Sequence, residues 1–420
     1  MKNLKYVLSS LFAVSLLIGC SDESEENNNG SDNNNPLKIV ELTEKSRSAS
    51  NKLGDFYTAY TCDVADFIDG TGKRDANFVV SPLSLSMALA MTGNAVTGDL
   101  QQEIISYLGV EDLDAMNELS STLLETLPNL DKKTTMTLAN SVWVERKYSL
   151  NDDFKSVATD VFNCELGGFS VDDRSSAVRD LNNWVSDKTA GKITDFFKED
   201  DISDVLAAIL INALHFKSEW RASDLFSTSK TSDRWFYGAT ASNEVPTMES
   251  RESAMDCYFD DDYVYVKVPF GNGAYNFEVL VLSSGKPLDF LNSVSREKLS
   301  LARNSAVEYK QVTLQLPKFR MEYDVKLDEL LRSVGIEHIG NMGEMSLFTE
   351  EYTGQITLRQ KVMFEVNEKG AEAAAVTSSG LLTSPDPSEP VRIDINRSFM
   401  FFITEQSTGA VVVSGRVADL

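Results

Sequence analysis

From Val205 to Phe216 the chain reads Val-Leu-Ala-Ala-Ile-Leu-Ile-Asn-Ala-Leu-His-Phe, an apolar run broken only by Asn212 and His215. Such a run does not alternate, so it has no solvent face; it is the pattern of a strand in the middle of a sheet covered on both sides. Thr137 to Val144 reads as another strand. Tyr263–Val268 and Tyr275–Leu282, joined by Gly271-Asn272-Gly273, form a hairpin signal, as do Phe399–Thr404 and Ala410–Val413 around Ser407-Thr408-Gly409. Leu53, Phe56, Tyr57, Tyr60, Val64 and Phe67 have helical spacing. Ser81-Pro82 opens a second helix, to about Val96, with Ser81 as N-cap; it is apolar nearly all round and therefore buried. Helices dominate the first half and strands the second, which predicts an α+β fold.

The first 36 residues are of another kind. Lys2 and Lys5 precede an apolar run from Leu8 to Ile18, too short to span a bilayer as a helix and flanked like a secretory signal. It ends Leu17-Ile18-Gly19-Cys20, which resembles a bacterial lipobox and implies acylation of Cys20 after removal of residues 1–19. Ser21 to Asn35 carries no apolar residue, so residues 20–36 are predicted to be a lipidated, flexible tether before a globular domain spanning 37–420. Asp22, Glu23, Glu25 and Glu26 are compatible with export to the cell surface. The expected location is extracytoplasmic, on the outer membrane.

With 64 acidic and 39 basic residues the formal charge is -25, which disfavours nucleic acid and offers no basic stripe for a glycosaminoglycan. Cys62, Cys164 and Cys257 are widely spaced, without a CxxC pair, and read as small buried hydrophobes. Only His215 and His338 exist, and there is no GxSxG or HExxH, so neither an enzyme nor a metal or other cofactor is indicated. From Gly370 to Ser384 there is no proline, whereas Pro385, Pro387 and Pro390 cluster just beyond. Taken alone, this alanine-rich stretch suits a helix as well as a strand.

Several segments, in order, resemble the serpin family. They are Asn77-Phe78-Val79-Val80-Ser81-Pro82-Leu83-Ser84, Ile211 to Trp220, Val268-Pro269-Phe270-Gly271, Leu316-Pro317-Lys318-Phe319 and Asn396-Arg397-Ser398-Phe399. The most specific is Glu365-Val366-Asn367-Glu368-Lys369-Gly370-Ala371-Glu372-Ala373-Ala374-Ala375, similar almost residue for residue to the hinge of inhibitory serpins. The resemblance runs from about Leu53 to the end. It implies a large mixed central sheet with two smaller sheets, a reactive-centre loop at about 368–390, and a monomeric inhibitor of serine proteases, papain-like cysteine proteases being a further target class.

It also implies residue roles. Glu368 would pair with Lys318 near Trp220 and gate the sheet; Glu368 to Ala375 would form the hinge; Ser81, Ser84 and Asn212 would make a polar shutter whose usual histidine is here Gln360. A loop that becomes a middle strand needs small side chains at alternate positions, which Ala371, Ala373, Ala375 and Thr377 supply. Residues 371–384 extended at ~3.3 Å each would reach roughly 46 Å. The usual spacing lands on Ser384, but the Ser384–Pro385 bond is a poor substrate, so Thr383–Ser384 is the expected cut and Leu382–Thr383 the second choice. Thr383 suits an elastase-like pocket and Leu382 a chymotrypsin- or subtilisin-like one. The rival within the family is a non-inhibitory serpin serving as a surface binding module.

Overall fold

The computed structural model describes residues 34–73, 76–283, 285–286, 288–339, 355–369 and 386–420. Eight α-helices lie among them: α1 (Glu44–Gly70), α2 (Pro82–Gly93), α3 (Gly98–Leu108), α4 (Leu113–Thr126), α5 (Asp152–Asp160), α6 (Arg174–Lys188), α7 (Leu288–Ser305) and α8 (Leu327–Ser333). The first eight strands are β1 (Phe78–Val80), β2 (Thr134–Glu145), β3 (Cys164–Phe169), β4 (Leu206–Ser218), β5 (Phe226–Tyr237), β6 (Ser242–Ser250), β7 (Ser253–Phe259) and β8 (Tyr263–Pro269). They are followed by β9 (Tyr275–Leu282), β10 (Val307–Pro317), β11 (Phe319–Lys326), β12 (Gln355–Val366), β13 (Val391–Asp394), β14 (Phe399–Glu405) and β15 (Val411–Val417).

The apolar run is β4, and it lies in the middle of a five-stranded mixed sheet ordered β11-β12-β4-β2-β3. Both faces of β4 are covered. Leu210 and Leu214 belong to the main core, and Ile209 and Ile211 to a second apolar cluster with Leu181 and Val185 of α6. The other ten strands form one sheet, a hydrogen-bonded path of nine, β1-β15-β14-β9-β8-β7-β10-β6-β5, with β13 paired to β10 beside it. The two smaller sheets expected from the sequence are joined by β10, whose first half pairs with β7 and whose last residues pair with β6, with β13 alongside. Both expected hairpins are present, as β8/β9 and β14/β15.

Local chemistry explains the helix limits. Thr43 caps α1 by accepting from Ser46 N, so the helix begins nine residues before the apolar periodicity does, on small buried residues such as Ser46 and Ala49. Ser81 caps α2 as expected, its Oγ accepting from Ser84 N at 3.2 Å, and every residue of α2 is buried. The helix stops at Gly93 rather than Val96. Asn94 closes it, its Nδ2 donating to Ala90 O at 2.7 Å.

The domain also starts earlier than residue 37. Asn35 is buried, donating to Asp131 Oδ1 at 2.6 Å and accepting from Lys132 N at 3.1 Å, and Pro36 O accepts from Asn272 Nδ2 at 2.9 Å. Asn35 and Pro36 are therefore docked chain and not tether: the amide satisfies a carboxylate and a main-chain donor that a polar composition alone does not reveal. Cys20 and the remainder of the proposed tether fall outside the described residues. Cys62, Cys164 and Cys257 are free and buried, and burial pushes the thiols of Cys62 and Cys164 up to about 12.

Candidate functional site

The site is the seam between β12 and β4. These strands run parallel and pair from Gln355↔Leu206 to Lys361↔Ala213, where the ladder ends. Both continue for five more residues, to Val366 and Ser218, held only by their outer neighbours β11 and β2. No strand stands between them among the described residues, and the two edges facing each other there carry main-chain groups available to another strand.

At this open end sits the expected cluster of Glu368, Lys318 and Trp220. Glu368 is 4% exposed, and its carboxylate is 2.8 and 3.0 Å from Lys318 Nζ. Thr231 of β5 donates to the same carboxylate at 2.7 Å. Burial by itself would raise the Glu368 pKa; the hydrogen bonds from Lys318 and Thr231 outweigh it and hold the carboxyl below its usual range. Trp220 is 2% exposed and donates Nε1–H to Asn367 O at 3.1 Å.

The β8/β9 turn explains the position of that indole. Phe270, at the head of the turn, stacks on Trp220 at 4.6 Å between centroids, and Gly271 N donates to Glu219 O at 2.8 Å. Gly271 has φ +41, and a Cβ there would run into the Asp131 carboxylate, so the close approach requires glycine. Lys369 is exposed, its N–H donating to Asn367 Oδ1 at 2.9 Å. Gly370, Ala371, Glu372, Ala373, Ala374, Ala375, Leu382, Thr383 and Ser384 lie outside the described residues.

The four residues expected to form one shutter divide into two groups. Gln360 makes a two-bond pair with the main chain of Ser81: its Oε1 accepts from Ser81 N at 3.0 Å and its Nε2 donates to Ser81 O at 2.9 Å. Ser81 Oγ donates to Val412 O at 2.7 Å, and Tyr60 OH donates to Gln360 Oε1 at 3.4 Å. Asn212 stands beside Gln360 in register, yet it donates to Asn140 Oδ1 of β2 at 2.8 Å, and Asn140 in turn donates to Phe162 O at 2.9 Å. The Ser84 hydroxyl has no hydrogen-bond partner among the described residues; only its N–H takes part. The expected single network is thus a Gln360–Ser81 lock on one side of the seam and an Asn212–Asn140 pair on the other. Asn140, Thr231 and Tyr60 were not anticipated. A polar residue inside the apolar β2 run was a usable signal for Asn140; nothing local marks Thr231.

The described chain breaks off after Lys369 and resumes at Asp386, and by Val391 it is strand β13, paired parallel with β10. Residues 370–385 therefore connect two different sheets. His338, by contrast, takes no part: its Nδ1 lies 2.6 Å from Glu103 Oε1 on α3.

An α+β protein with a mixed central sheet, a parallel seam parted at one end and a connection from that end to a second sheet has the architecture of a serpin. The family model for Serpin (serine protease inhibitor) matches residues 64–420, and the chain belongs to the serpin family. Serine protease inhibitor 42Dd of Drosophila melanogaster is 29% identical over 351 residues, covering 82% of this chain and 91% of that protein. Antichymotrypsin-2 of Bombyx mori is 27% identical over 336 residues, or 78% and 88%. The thermophilic serpin tengpin in its native state superposes with a TM-score of 0.77 at 25% identity, covering 92% of this chain and 97% of that one. Human thyroxine-binding globulin complexed with thyroxine shares the fold, with a TM-score of 0.75 at 23% identity over 89% and 99% of the chains.

Proposed function

We propose that this serpin inhibits serine proteases as a suicide substrate. The observation that carries the reading is the parted seam, with the hinge leaving β12 at its open end. A chain turning back from Glu368 would run antiparallel to both β12 and β4 and satisfy both free edges, replacing a parallel contact with two antiparallel ones. While the loop is intact, β13 holds its far end in the other sheet, so full entry waits for a cut. A protease that attacks the loop carbonyl forms an acyl-enzyme. If the freed loop then inserts before hydrolysis, the attached protease is dragged away and loses the alignment of its nucleophile and oxyanion donors. The protein acts through its own rearrangement and not as a catalyst.

The Thr383–Ser384 bond, with Leu382–Thr383 second, directs this activity to elastase-, subtilisin- or chymotrypsin-like enzymes. Acylation at Cys20 would tether the domain outside the cytoplasm at the outer membrane, where such proteases are met. Incubation with pancreatic elastase, subtilisin, chymotrypsin, trypsin and papain is expected to give an adduct stable on denaturing gels with one of the first three. Mass spectrometry of the released fragment should place the cut after Thr383 or Leu382. A protein that is cut there, leaves every protease active and melts no higher afterwards is the non-inhibitory binding module instead.

A further inference from the structure

Gln360 faces the core, and its neighbours on β12, Arg359 and Lys361, lie on the opposite face of the strand, under the connection that leads from α6 to β4. Arg359 is 4% exposed. Its guanidinium lies 4.7 Å from the ring centroid of Phe196 and 4.8 Å from that of Phe197, and 2.9 Å from Asp201 Oδ2; all three belong to that connection. A fourth contact is made to Asp324 Oδ2 of β11 at 2.6 Å.

These partners fall on two sides of the seam. The connection is fastened to α6, because Asn182 Oδ1 accepts from Phe196 N at 2.9 Å and Phe197 N at 2.7 Å, and Nδ2 donates to Phe197 O at 2.9 Å. Phe196, Phe197 and Ile202 are buried with Leu181 and Val185 of α6 and Leu206, Ile209 and Ile211 of β4. They therefore move with β4. Asp324 is on β11, paired along its whole length with β12, and so travels with Arg359.

Admitting one more strand shifts β12 from β4 by one strand spacing, about 4.8 Å. That displacement carries the guanidinium beyond the ~6 Å reach of a ring contact and separates it from Asp201, while the Asp324 pair survives. We propose that Arg359 is a latch across the seam: its contacts with Asp201, Phe196 and Phe197 set how fast β12 parts from β4, and hence whether an acylated protease is trapped or released. The proposal rests on the inhibitory reading and adds to it a rate-setting residue remote from the gate.

The experiment uses the full chain and four variants: Asp201→Asn, Asp324→Asn, Arg359→Met and Asp201→Asn combined with Arg359→Met. Loop insertion after cleavage is followed by tryptophan fluorescence, and melting is measured for intact and cleaved forms. Asp201→Asn is expected to insert about tenfold faster and to lower the melting temperature of the intact form only, since the contact is already broken in the cleaved one. Asp324→Asn should insert no faster than the unmodified protein, and Asp201→Asn should add nothing once Arg359 is methionine. Insertion of Asp201→Asn at the unmodified rate, equal loss of stability in both forms, or equal acceleration by Asp324→Asn would each overturn the latch. If the unmodified protein itself never inserts, the inhibitory reading fails and the latch with it; if it inserts and only the variants disagree, the latch alone is lost.

Discussion

The carboxylate of Glu368 meets the ammonium of Lys318 at 2.8 Å at the open end of the seam, seven residues beyond Lys361, where the β12–β4 ladder stops, so the ion pair closes the mouth of the unpaired stretch. Lys318 follows β10 and precedes β11, and its own N–H is held by Pro246 O at 2.8 Å. The pair thus ties the loop's root to the β10–β11 junction and, through Lys318 N, to β6.

Replacing Glu368 by Gln, or Lys318 by Ala, should loosen the gate. A charged hydrogen bond of this kind contributes about 1.5–3 kcal/mol. The expected result is a lower melting temperature for the intact protein, little change for the cleaved form, and faster conversion to self-inserted or polymeric species on warming, read by native gels.

Acid should act at the same place. Because the folded-state pKa of Glu368 is lowered, its contribution to stability is complete above the unfolded value of 4.5 and disappears as pH falls through the lower folded value. Asp324 and Asp328 are shifted upward, chiefly by burial, and act in the opposite sense as pH drops. The difference in melting temperature between the unmodified protein and Glu368→Gln isolates the gate: it should be constant above pH 5 and shrink below pH 4.5.

Gln360 bonds both main-chain polar groups of the buried Ser81. In Gln360→Ala the buried N–H of Ser81 loses its hydrogen bond, at about 1–3 kcal/mol, while its C=O loses one of two, the bond from Leu85 N at 3.1 Å remaining. Chemical denaturation should show this loss for the intact form, and a variant as stable as the unmodified protein would show the lock to be dispensable.

The hinge prediction concerns cleavage against trapping. Ala373→Arg places a charge on the face of the loop that would enter the sheet interior. Such a variant should still be cut by the target protease, with adduct replaced by cleaved monomer on denaturing gels and no gain in melting temperature.

The anchor is testable apart from inhibition. Cys20→Ser should abolish incorporation of radiolabelled palmitate and release the protein from the membrane fraction, leaving inhibition in solution unchanged.

The pattern of residues along the chain was enough to identify the middle strand β4, the two hairpins and the capped buried helix at Ser81, because each depends on burial periodicity or on backbone chemistry within a few residues. The motif around Glu368 also pointed to Lys318 and Trp220: Lys318 does meet Glu368, and Trp220 bonds the residue before it, Asn367. What the chain could not reveal by itself was which polar groups share a bond: Asn212 turns to Asn140 and not to the Ser81 lock, Thr231 reaches Glu368 across 137 positions, and Asn35 docks on Asp131. Those choices are made by strand register and by which elements stack over one another, and the end of the β12–β4 ladder at Lys361 is of the same kind. Periodicity says which side of a strand is buried; only the assembled sheet says what lies against it.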